Sequence, residues 1–227
     1  LDHLERYDVV FRAPGMYYNH PKLQEARQNG VVITTEMEVF LEFCPCRCYA
    51  VTGSDGKTTT TTLISEFFQE SGVTVHKGGN IGRALLPIIE TIQENDVAVV
   101  ELSSFQLLSM RQSPDVAVIT NIAPNHLDVH GTEEYIAAKT NIIAHQNAFS
   151  RTVLNLDNAL TKNLSSMVRG TLFYFSRTQQ PKWGTMLRED GMLCMCCNGV
   201  ITPVIHKDDI RIPGMHNVEN YLAAIAA

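Results

Sequence analysis

Arg47-Cys-Tyr-Ala-Val-Thr52, continued by Gly53-Ser-Asp-Gly56-Lys57-Thr58, is the stretch that decides the fold of this chain. Its first half is apolar and β-branched, as a buried strand is, and it stops at a glycine. Four apolar side chains then fall on one helical face before Gly72 ends the pattern: Leu63, Ile64, Phe67 and Phe68. We therefore predict a strand, a glycine loop and a helix in direct succession.

Further apolar runs alternate with helical patterns along the chain. They are Val97–Val100, Val116–Ile119, Thr152–Asn155 and Thr171–Phe175. Such alternation is typical of a mostly parallel sheet with helices on both faces, so the predicted fold class is α/β. Between Lys182 and Ile212 the pattern changes to short apolar segments separated by Asp190-Gly191 and Asn198-Gly199. These dipeptides favour hairpin turns and predict a small antiparallel patch.

The first residues form a separate short pattern. They predict a strand, a Pro14-Gly15 turn, a helix and a second strand, at Asp8–Arg12, Pro21–Gln28 and Val31–Thr34. One such unit is too small for a domain, so we interpret it as the tail of a domain whose beginning is missing. The chain closes on an apolar helix pattern from Asn220 that has no terminator, so we expect its C-terminus to be a cut.

Composition excludes several classes of function. The net charge of -6 over 227 residues offers no basic field for nucleic acid. No apolar run is long enough to predict a membrane span, and the opening residues lack the layout of a secretory signal, so we expect a cytoplasmic protein. The six cysteines lack the paired spacing of a zinc site and are expected to be reduced thiols, with Cys44, Cys46 and Cys48 in one group and Cys194, Cys196 and Cys197 in the other.

The glycine loop has the residue types of a phosphate site. Small residues let backbone amides curl round a phosphate, Lys57 can reach its oxygens, and the Thr58 hydroxyl can ligate magnesium, with Thr59 a further possible contact. Only two residues separate the two glycines, where the usual phosphate loop has about four. A glycine turn before an ordinary helix therefore stays open as an alternative.

Polar residues follow two other strands. Glu101 comes directly after Val97–Val100, at the edge where open α/β sheets bind ligands, and Ser103 and Gln106 extend that edge. His126 follows Val116–Ile119 and could bind magnesium or contact a substrate. The alternatives are a solvated strand-end glutamate and a merely exposed loop histidine.

Lys139 lies within an apolar helical stripe, between Tyr135, Ile136, Ile142 and Ile143. A buried ammonium needs a partner or a modification. The side chain could reach the helix edge, pair with an acid such as Glu101, or be carbamylated by carbon dioxide to give a metal-binding carboxylate. Periodicity does not choose among these.

Five segments together resemble the Mur ligases over nearly the whole chain. They are Thr52-Gly-Ser-Asp-Gly-Lys-Thr-Thr59, Gly78-Gly-Asn-Ile-Gly82, Glu101-Leu-Ser-Ser-Phe-Gln-Leu107, Asn125-His-Leu-Asp128 with Tyr135-Ile-Ala-Ala-Lys139, and Gly214-Met-His-Asn217 with Asn220. The second and third segments favour the branch of the family that adds D-glutamate. The resemblance implies a monomeric, cytoplasmic, three-domain enzyme of peptidoglycan synthesis, and so of cell-wall biogenesis, cell shape and cell division.

The implied reaction joins D-glutamate to UDP-N-acetylmuramoyl-L-alanine. ATP phosphorylates the substrate carboxylate, and the amine of D-glutamate attacks the acyl phosphate to form an amide, with two magnesium ions as cofactors. Metal binding and catalysis are implied for Glu101, His126 and carbamylated Lys139, with Thr58 as a further metal ligand and Lys57 as a further catalytic group. ATP contacts are implied for Gly53, Ser54, Asp55, Gly56, Lys57, Thr58 and Thr59 at the phosphates and for Asn217 and Asn220 at adenine. Contacts with the muramoyl substrate are implied for Asn80, Ser103, Gln106 and His126.

The resemblance also implies that residues 1–43 are the end of a UDP-binding Rossmann-like domain, that 44–227 are the central ATP-binding domain, and that a C-terminal domain is absent. We expect such a fragment to bind nucleotide weakly and not to turn over. Two other readings stay open, namely another ligase of the Mur and folylpolyglutamate type, and a nucleotide-binding module without catalysis.

Overall fold

The central sheet has nine strands in the order β11-β10-β9-β8-β7-β6-β3-β5-β4. The computed structural model describes residues 1–123 and 132–227. The six pairings from β4 to β9 are parallel, which confirms the predicted α/β class. The strands are β3 (Arg47–Thr52), β4 (Val75–Gly79), β5 (Val97–Glu101), β6 (Val116–Ile119), β7 (Arg151–Asn155), β8 (Thr171–Ser176), β9 (Trp183–Leu187), β10 (Met192–Cys197) and β11 (Val200–His206).

Helices cover both faces of this sheet. Alternate residues of each central strand point to opposite sides, so each strand contributes to the core on both faces. On one face Tyr49 and Val51 pack with the helices α3 (Lys57–Glu70) and α7 (Met215–Ala226). On the other face Cys48 and Ala50 pack with α2 (Glu36–Phe43) and α5 (Thr132–Ala144). Shorter helices are α4 (Ser104–Leu107), α6 (Ala159–Asn163) and the 3-10 turns Leu4–Arg6, Leu86–Thr91 and Leu164–Met167.

The predicted antiparallel patch is present as β9, β10 and β11. Asn198 and Gly199 alone connect β10 to β11, and both have positive φ, as a type I′ turn requires. The register shifts between Leu193 and Cys194, and Pro203 lies opposite the shift in the edge strand β11. The patch joins the main sheet through β8 and β9, which run parallel although only residues 177–182 connect them. The sequence pattern did not predict this pairing.

The first residues form a small parallel pair with its own core. Strands β1 (Val9–Phe11) and β2 (Val32–Thr34) flank α1 (Pro21–Gln28), as predicted. Leu23, Ala26, Val31 and Ile33 make up this core. Helix α2 follows, and its Met37 and Phe40 pack in the core of the central sheet rather than with α1. The domain boundary after residue 43 stays a prediction.

Arg12 ties the first unit to the central sheet. Its side chain is 3% exposed, and its guanidinium donates to the Met16 carbonyl at 2.7 Å within its own loop. The same group donates to the Phe105 carbonyl of α4 at 2.9 Å and to Ser109 Oγ at 3.3 Å. A buried cation that bonds both sides of a boundary fixes their relative position.

Arg12→Ala is expected to lower the free energy of unfolding by about 2 kcal/mol, because several buried carbonyls lose a charged donor together. Chemical denaturation measures this change. Arg6→Ala is the matched control, since Arg6 is exposed, and should change stability by less than about 0.5 kcal/mol. Equal effects of the two substitutions would contradict the bridging role of Arg12.

Candidate functional site

Four strands bring their carboxyl ends together at one edge of the sheet. In the strand register, Gly79 of β4 lies opposite Glu101 of β5, and Glu101 lies opposite Val51 of β3. The glycine loop leaves β3 beyond this point, next to the end of β6. Ligands of open α/β sheets bind at such an edge.

The backbone of the glycine loop needs both of its glycines. Gly53 has φ +151°, and a Cβ there would lie 1.9 Å from Thr120 Oγ1. Gly56 has φ +77°, and a Cβ there would lie 2.2 Å from Asn220 Oδ1. The chain therefore turns in a space that only glycine fits, and it leads straight into α3.

Residues after β6 hold the loop in place. Asn121 Oδ1 accepts from the amides of Ser54 and Asp55 at 3.1 and 2.9 Å. Thr120 Oγ1 donates to the Asp55 carbonyl at 2.6 Å. The loop is thus fixed before any ligand arrives, while the first amides of α3, from Lys57 to Thr59, precede its first helical hydrogen bonds and can serve an anion.

The Thr58 hydroxyl and the Glu101 carboxylate lie in contact beside this helix start. The Thr58 hydroxyl donates to Glu101 Oε2 at 2.7 Å, and Asn80 Nδ2 donates to Glu101 Oε1 at 2.8 Å. The backbone N–H of Asn80 also donates to the backbone carbonyl of Glu101 at 2.8 Å. A hydroxyl and a carboxylate in contact, beside amides suited to phosphate, fit magnesium, which takes few protein oxygens and completes its shell with phosphate and water.

Lys139 is buried and points at the loop. It is 2% exposed, its Nζ donates to the Gly53 carbonyl at 2.8 Å, and the ring centroid of Tyr135 lies 4.5 Å from that nitrogen. Of the alternatives, the exposed position at the helix edge is therefore wrong. Within residues 1–123 and 132–227 the structure contains no ion pair between Lys139 and Glu101.

Two lysines share one carbonyl oxygen, because Lys57 Nζ lies 3.1 Å from the Gly53 carbonyl and 2.8 Å from that of Ser54. Burial, together with the nearby charge of Lys57, lowers the pKa of Lys139 to about 7, against the opposing effect of Asp55. A substantial fraction of Lys139 is therefore neutral near pH 7, as carbamylation requires. Carbamylation itself stays a prediction.

Ser103 and Gln106 have a structural role. Ser103 Oγ accepts from the Gln106 amide at 3.4 Å, and Gln106 Oε1 accepts from the Ser103 amide at 2.9 Å. This is a capping box that starts α4. Gln106 is 3% exposed and also lines a cavity of about 240 Å³ against the Arg12 loop. Their predicted contact with a substrate stays a prediction.

Asn217 and Asn220 lie beside the glycine loop on α7. Asn220 Oδ1 accepts from Thr60 Oγ1 at 3.3 Å, and Asn220 Nδ2 donates to Asn217 Oδ1 at 3.1 Å. Asn217 Nδ2 donates to the Pro213 carbonyl at 2.9 Å. These amides brace the start of α3, and their predicted contact with adenine stays a prediction.

His126 lies outside the described residues, so its predicted contacts with metal and substrate stay predictions. Sequence reasoning missed Thr120 and Asn121 as parts of the site. Asn121 had a usable signal, since it is a polar residue two positions after the buried strand β6, which lies beside β3. In the part of the chain that the structure describes, no group of three or more acidic, histidine or cysteine side chains is placed to hold a metal. None of the helices in that part combines the length and apolarity needed to cross a bilayer.

The fold is an α/β domain with a glycine loop at the carboxyl ends of its parallel strands, and comparison with known proteins places it in a family. Residues 51–227 match the Mur ligase middle domain, so the chain belongs to the Mur ligase family, whose members are in general dependent on ATP and magnesium. A relative from Acetivibrio thermocellus named UDP-N-acetylmuramoylalanine--D-glutamate ligase is 51% identical over 100% of this chain and 49% of its own length. A relative of the same name from Ruminiclostridium cellulolyticum is 50% identical with the same coverage. The chain therefore spans about half the length of these relatives.

Solved structures share the fold at low identity. A UDP-N-acetylmuramoyl-L-alanyl-D-glutamate--2,6-diaminopimelate ligase superposes with a TM-score of 0.68 at 18% identity, over 96% of this chain and 58% of that one. A UDP-N-acetylmuramate:L-alanyl-gamma-D-glutamyl-meso-diaminopimelate ligase from Neisseria meningitides gives a TM-score of 0.66 at 16% identity, over 97% and 73%. These likenesses confirm the predicted fold.

Proposed function

We propose that this chain is the ATP-binding part of a ligase that joins D-glutamate to UDP-N-acetylmuramoyl-L-alanine in peptidoglycan synthesis. One observation carries the proposal, namely that a hydroxyl, a carboxylate and two lysine amines converge on a single rigid glycine loop. Thr58 contacts Glu101, and Lys57 and Lys139 both contact the Gly53 carbonyl. The D-glutamate specificity is supported by the names of relatives that are 50 and 51% identical over the whole chain.

Each group has a distinct task in the proposed reaction. The amides at the start of α3 bind the phosphates of ATP, and Lys57 leaves its loop carbonyls to contact the phosphate oxygens. Thr58 and Glu101 would hold a magnesium ion, which neutralises the charge that builds up as phosphate meets carboxylate. Carbamylated Lys139, with His126, would hold a second ion.

The remaining roles are proposed from the family likeness. Asn217 and Asn220 lie near adenine, and Asn80, Ser103, Gln106 and His126 lie near the muramoyl substrate. The protein acts as a monomer in the cytoplasm, within cell-wall biogenesis and cell division. Residues 1–43 belong to a UDP-binding domain, and a further domain supplies the contacts to D-glutamate.

The proposal predicts that the isolated chain binds ATP with magnesium but does not turn over. The test replaces the matching segment of the Acetivibrio thermocellus relative with this chain and measures ADP release that depends on both substrates. The expected result is activity in the chimera and none in the isolated chain. A chimera that folds but is inactive, while the intact relative is active, would contradict the proposal and favour a nucleotide-binding module without catalysis.

Glu101→Gln is expected to weaken magnesium-dependent ATP binding by about 10- to 100-fold. The amide keeps the size of the side chain but removes its charge, and its NH2 group meets the Asn80 or Thr58 donors. Calorimetric titration of the isolated chain with ATP, with and without magnesium, measures the effect. Glu66→Gln is the matched control on the exposed side of α3. An unchanged magnesium requirement in Glu101→Gln would rule out this carboxylate as a ligand.

A further inference from the structure

Three cysteines lie at the junction between α2 and β3, away from the glycine loop. Cys44 is the C-cap of α2, Cys46 precedes β3, and Cys48 lies within β3. Cys44 is half-buried, whereas Cys46 and Cys48 are 6% and 4% exposed. The Cys44 thiol is therefore partly accessible to solvent, whereas the Cys46 and Cys48 thiols lie in the core.

Cys44 and Cys46 are in direct contact. Their sulfur atoms are 3.6 Å apart, and Cys44 Sγ also lies 3.4 Å from the Cys46 carbonyl. Only Pro45 separates the two cysteines in the chain, and the contact of their sulfur atoms places both side chains on the same side. A disulfide has a sulfur separation of about 2.05 Å, so the two sulfur atoms must approach each other by about 1.5 Å to form the bond.

The two thiols differ in acidity. The hydrogen bond from Cys46 lowers the pKa of Cys44, whereas the same bond together with burial raises the pKa of Cys46. Burial raises the pKa of Cys48 as well. A partly exposed thiol of lowered pKa next to a second thiol is the arrangement of oxidation-sensitive cysteine pairs.

The second cysteine group lacks this geometry. Cys194, Cys196 and Cys197 lie in the extended strand β10, where neighbouring side chains point to opposite faces and alternate residues are about 6.8 Å apart along the strand. Burial raises the pKa of Cys194 and of Cys196. This group serves as an internal control.

We propose that Cys44 and Cys46 are a reversible oxidation site, which forms a disulfide by exchange with a small-molecule disulfide such as oxidised glutathione. The Cys44 thiolate attacks one sulfur of the small disulfide, which forms a mixed disulfide and releases one small thiolate. Cys46 loses its proton to that thiolate and attacks Cys44 Sγ, which expels the second small thiolate. That thiolate takes up, through solvent, the proton that Cys44 had released. The two protein thiols are oxidised, and one small disulfide is reduced to two thiols.

The location gives the oxidation a defined structural effect. The new bond would close a ring of three residues between α2, which packs on the central core, and β3, which leads to the glycine loop. Such a small ring is strained, and strained disulfides are readily reduced. The pair would respond to the thiol balance of its surroundings rather than staple the fold permanently.

The test incubates the reduced 227-residue chain in buffers with a rising share of oxidised glutathione, blocks the remaining thiols with N-ethylmaleimide after denaturation, and maps tryptic peptides by mass. Cleavage after Arg47 leaves Cys44 and Cys46 in peptide 28–47 and Cys48 in peptide 48–57, while the other three cysteines share peptide 189–207. The expected result is an internal disulfide in peptide 28–47, reversed by dithiothreitol, with the other peptides fully alkylated. A link between peptides 28–47 and 48–57, or earlier oxidation of peptide 189–207, would overturn the proposal.

Single substitutions separate the two steps of the exchange. Cys46→Ser is expected to stop at a glutathione adduct on Cys44, and Cys44→Ser to leave the peptide unoxidised. Cys197→Ser is the control, expected to behave as the unsubstituted chain. A glutathione adduct on Cys46 of Cys44→Ser, formed as fast as the disulfide of the unsubstituted chain, would contradict the proposal, and if a variant fails to fold the peptide map of the unsubstituted chain decides alone.

Discussion

Lys139→Met is expected to raise the free energy of unfolding by about 2 to 4 kcal/mol below pH 7. Burial and the nearby charge of Lys57 lower the pKa of Lys139 from 10.5 to about 7, a change that corresponds to roughly 5 kcal/mol against the charged form. Methionine fills nearly the same volume without a charge. The Gly53 carbonyl keeps a partner, because Lys57 also lies on it.

The gain from Lys139→Met should depend on pH in a defined direction. Unfolded lysine stays protonated up to about pH 10.5, whereas the folded side chain releases its proton near pH 7. Between these values the unfolded state binds more protons, so the unsubstituted protein gains stability as pH rises and the advantage of the variant shrinks. The groups facing this amine are Lys57, Asp55 and Tyr135. Denaturant titrations at several pH values from 6 to about 9 measure the difference.

Lys57→Met is the matched control for Lys139→Met. Lys57 is half-buried and donates to the same carbonyl, so its loss should bring no comparable gain at low pH. In the chimera proposed above, Lys139→Met should abolish ligation despite its higher stability. A variant that is destabilised at every pH would show that the buried ammonium is compensated more fully than the structure indicates.

Gly53→Ala is expected to lower the free energy of unfolding by about 3 to 5 kcal/mol, from overpacking and backbone strain together. The added Cβ would lie 1.9 Å from Thr120 Oγ1 and 3.1 Å from the Asn121 carbonyl. The Thr120 hydroxyl cannot easily move, because it lies 2.6 Å from the Asp55 carbonyl and 3.2 Å from the Thr52 carbonyl. Magnesium-dependent ATP binding should fall with the displaced loop.

Gly72→Ala is the control that separates backbone strain from overpacking as causes of the lost stability. Gly72 has φ +84°, but an added Cβ meets nothing within 4 Å. Its substitution should therefore cost only the strain of positive φ, about 1 to 2 kcal/mol. Chemical denaturation of both variants gives the comparison. Equal losses in the two variants would contradict a clash at the loop.

The sequence predicted the site where local patterns and the rule for parallel strands were enough. The strand before Gly53, the acid at Glu101 and the place of Lys139 in an apolar helical stripe follow from the sequence pattern, and parallel strands bring their carboxyl ends to one edge. The burial of the Lys139 amine was one of several alternatives that periodicity left open. The contact of Thr58 with Glu101 joins residues far apart in the chain, so the pattern predicted only that both would lie at that edge.

Contacts that depend on tertiary packing could not be predicted. Nothing near Arg12 in the chain indicates that its guanidinium reaches Phe105, and nothing near Ser54 indicates that Asn121 fixes its amide. The role of Ser103 did have a local signal, because a serine followed three residues later by glutamine is a capping pattern. From the sequence, Ser103 and Gln106 are assigned to substrate contacts, and the structure shows that the two residues also form the N-terminal capping box of α4.

The edge strand β11 affects how the molecule behaves at high concentration. An open sheet edge offers unpaired backbone groups to a strand of another molecule, and such pairing leads to aggregation. Pro203 removes one donor from β11, and the register shift beside it bends the hairpin. Together they interrupt the surface on which a second chain would align, so this side of the sheet is a poor template for intermolecular strand addition although Val200 and Val204 are exposed there.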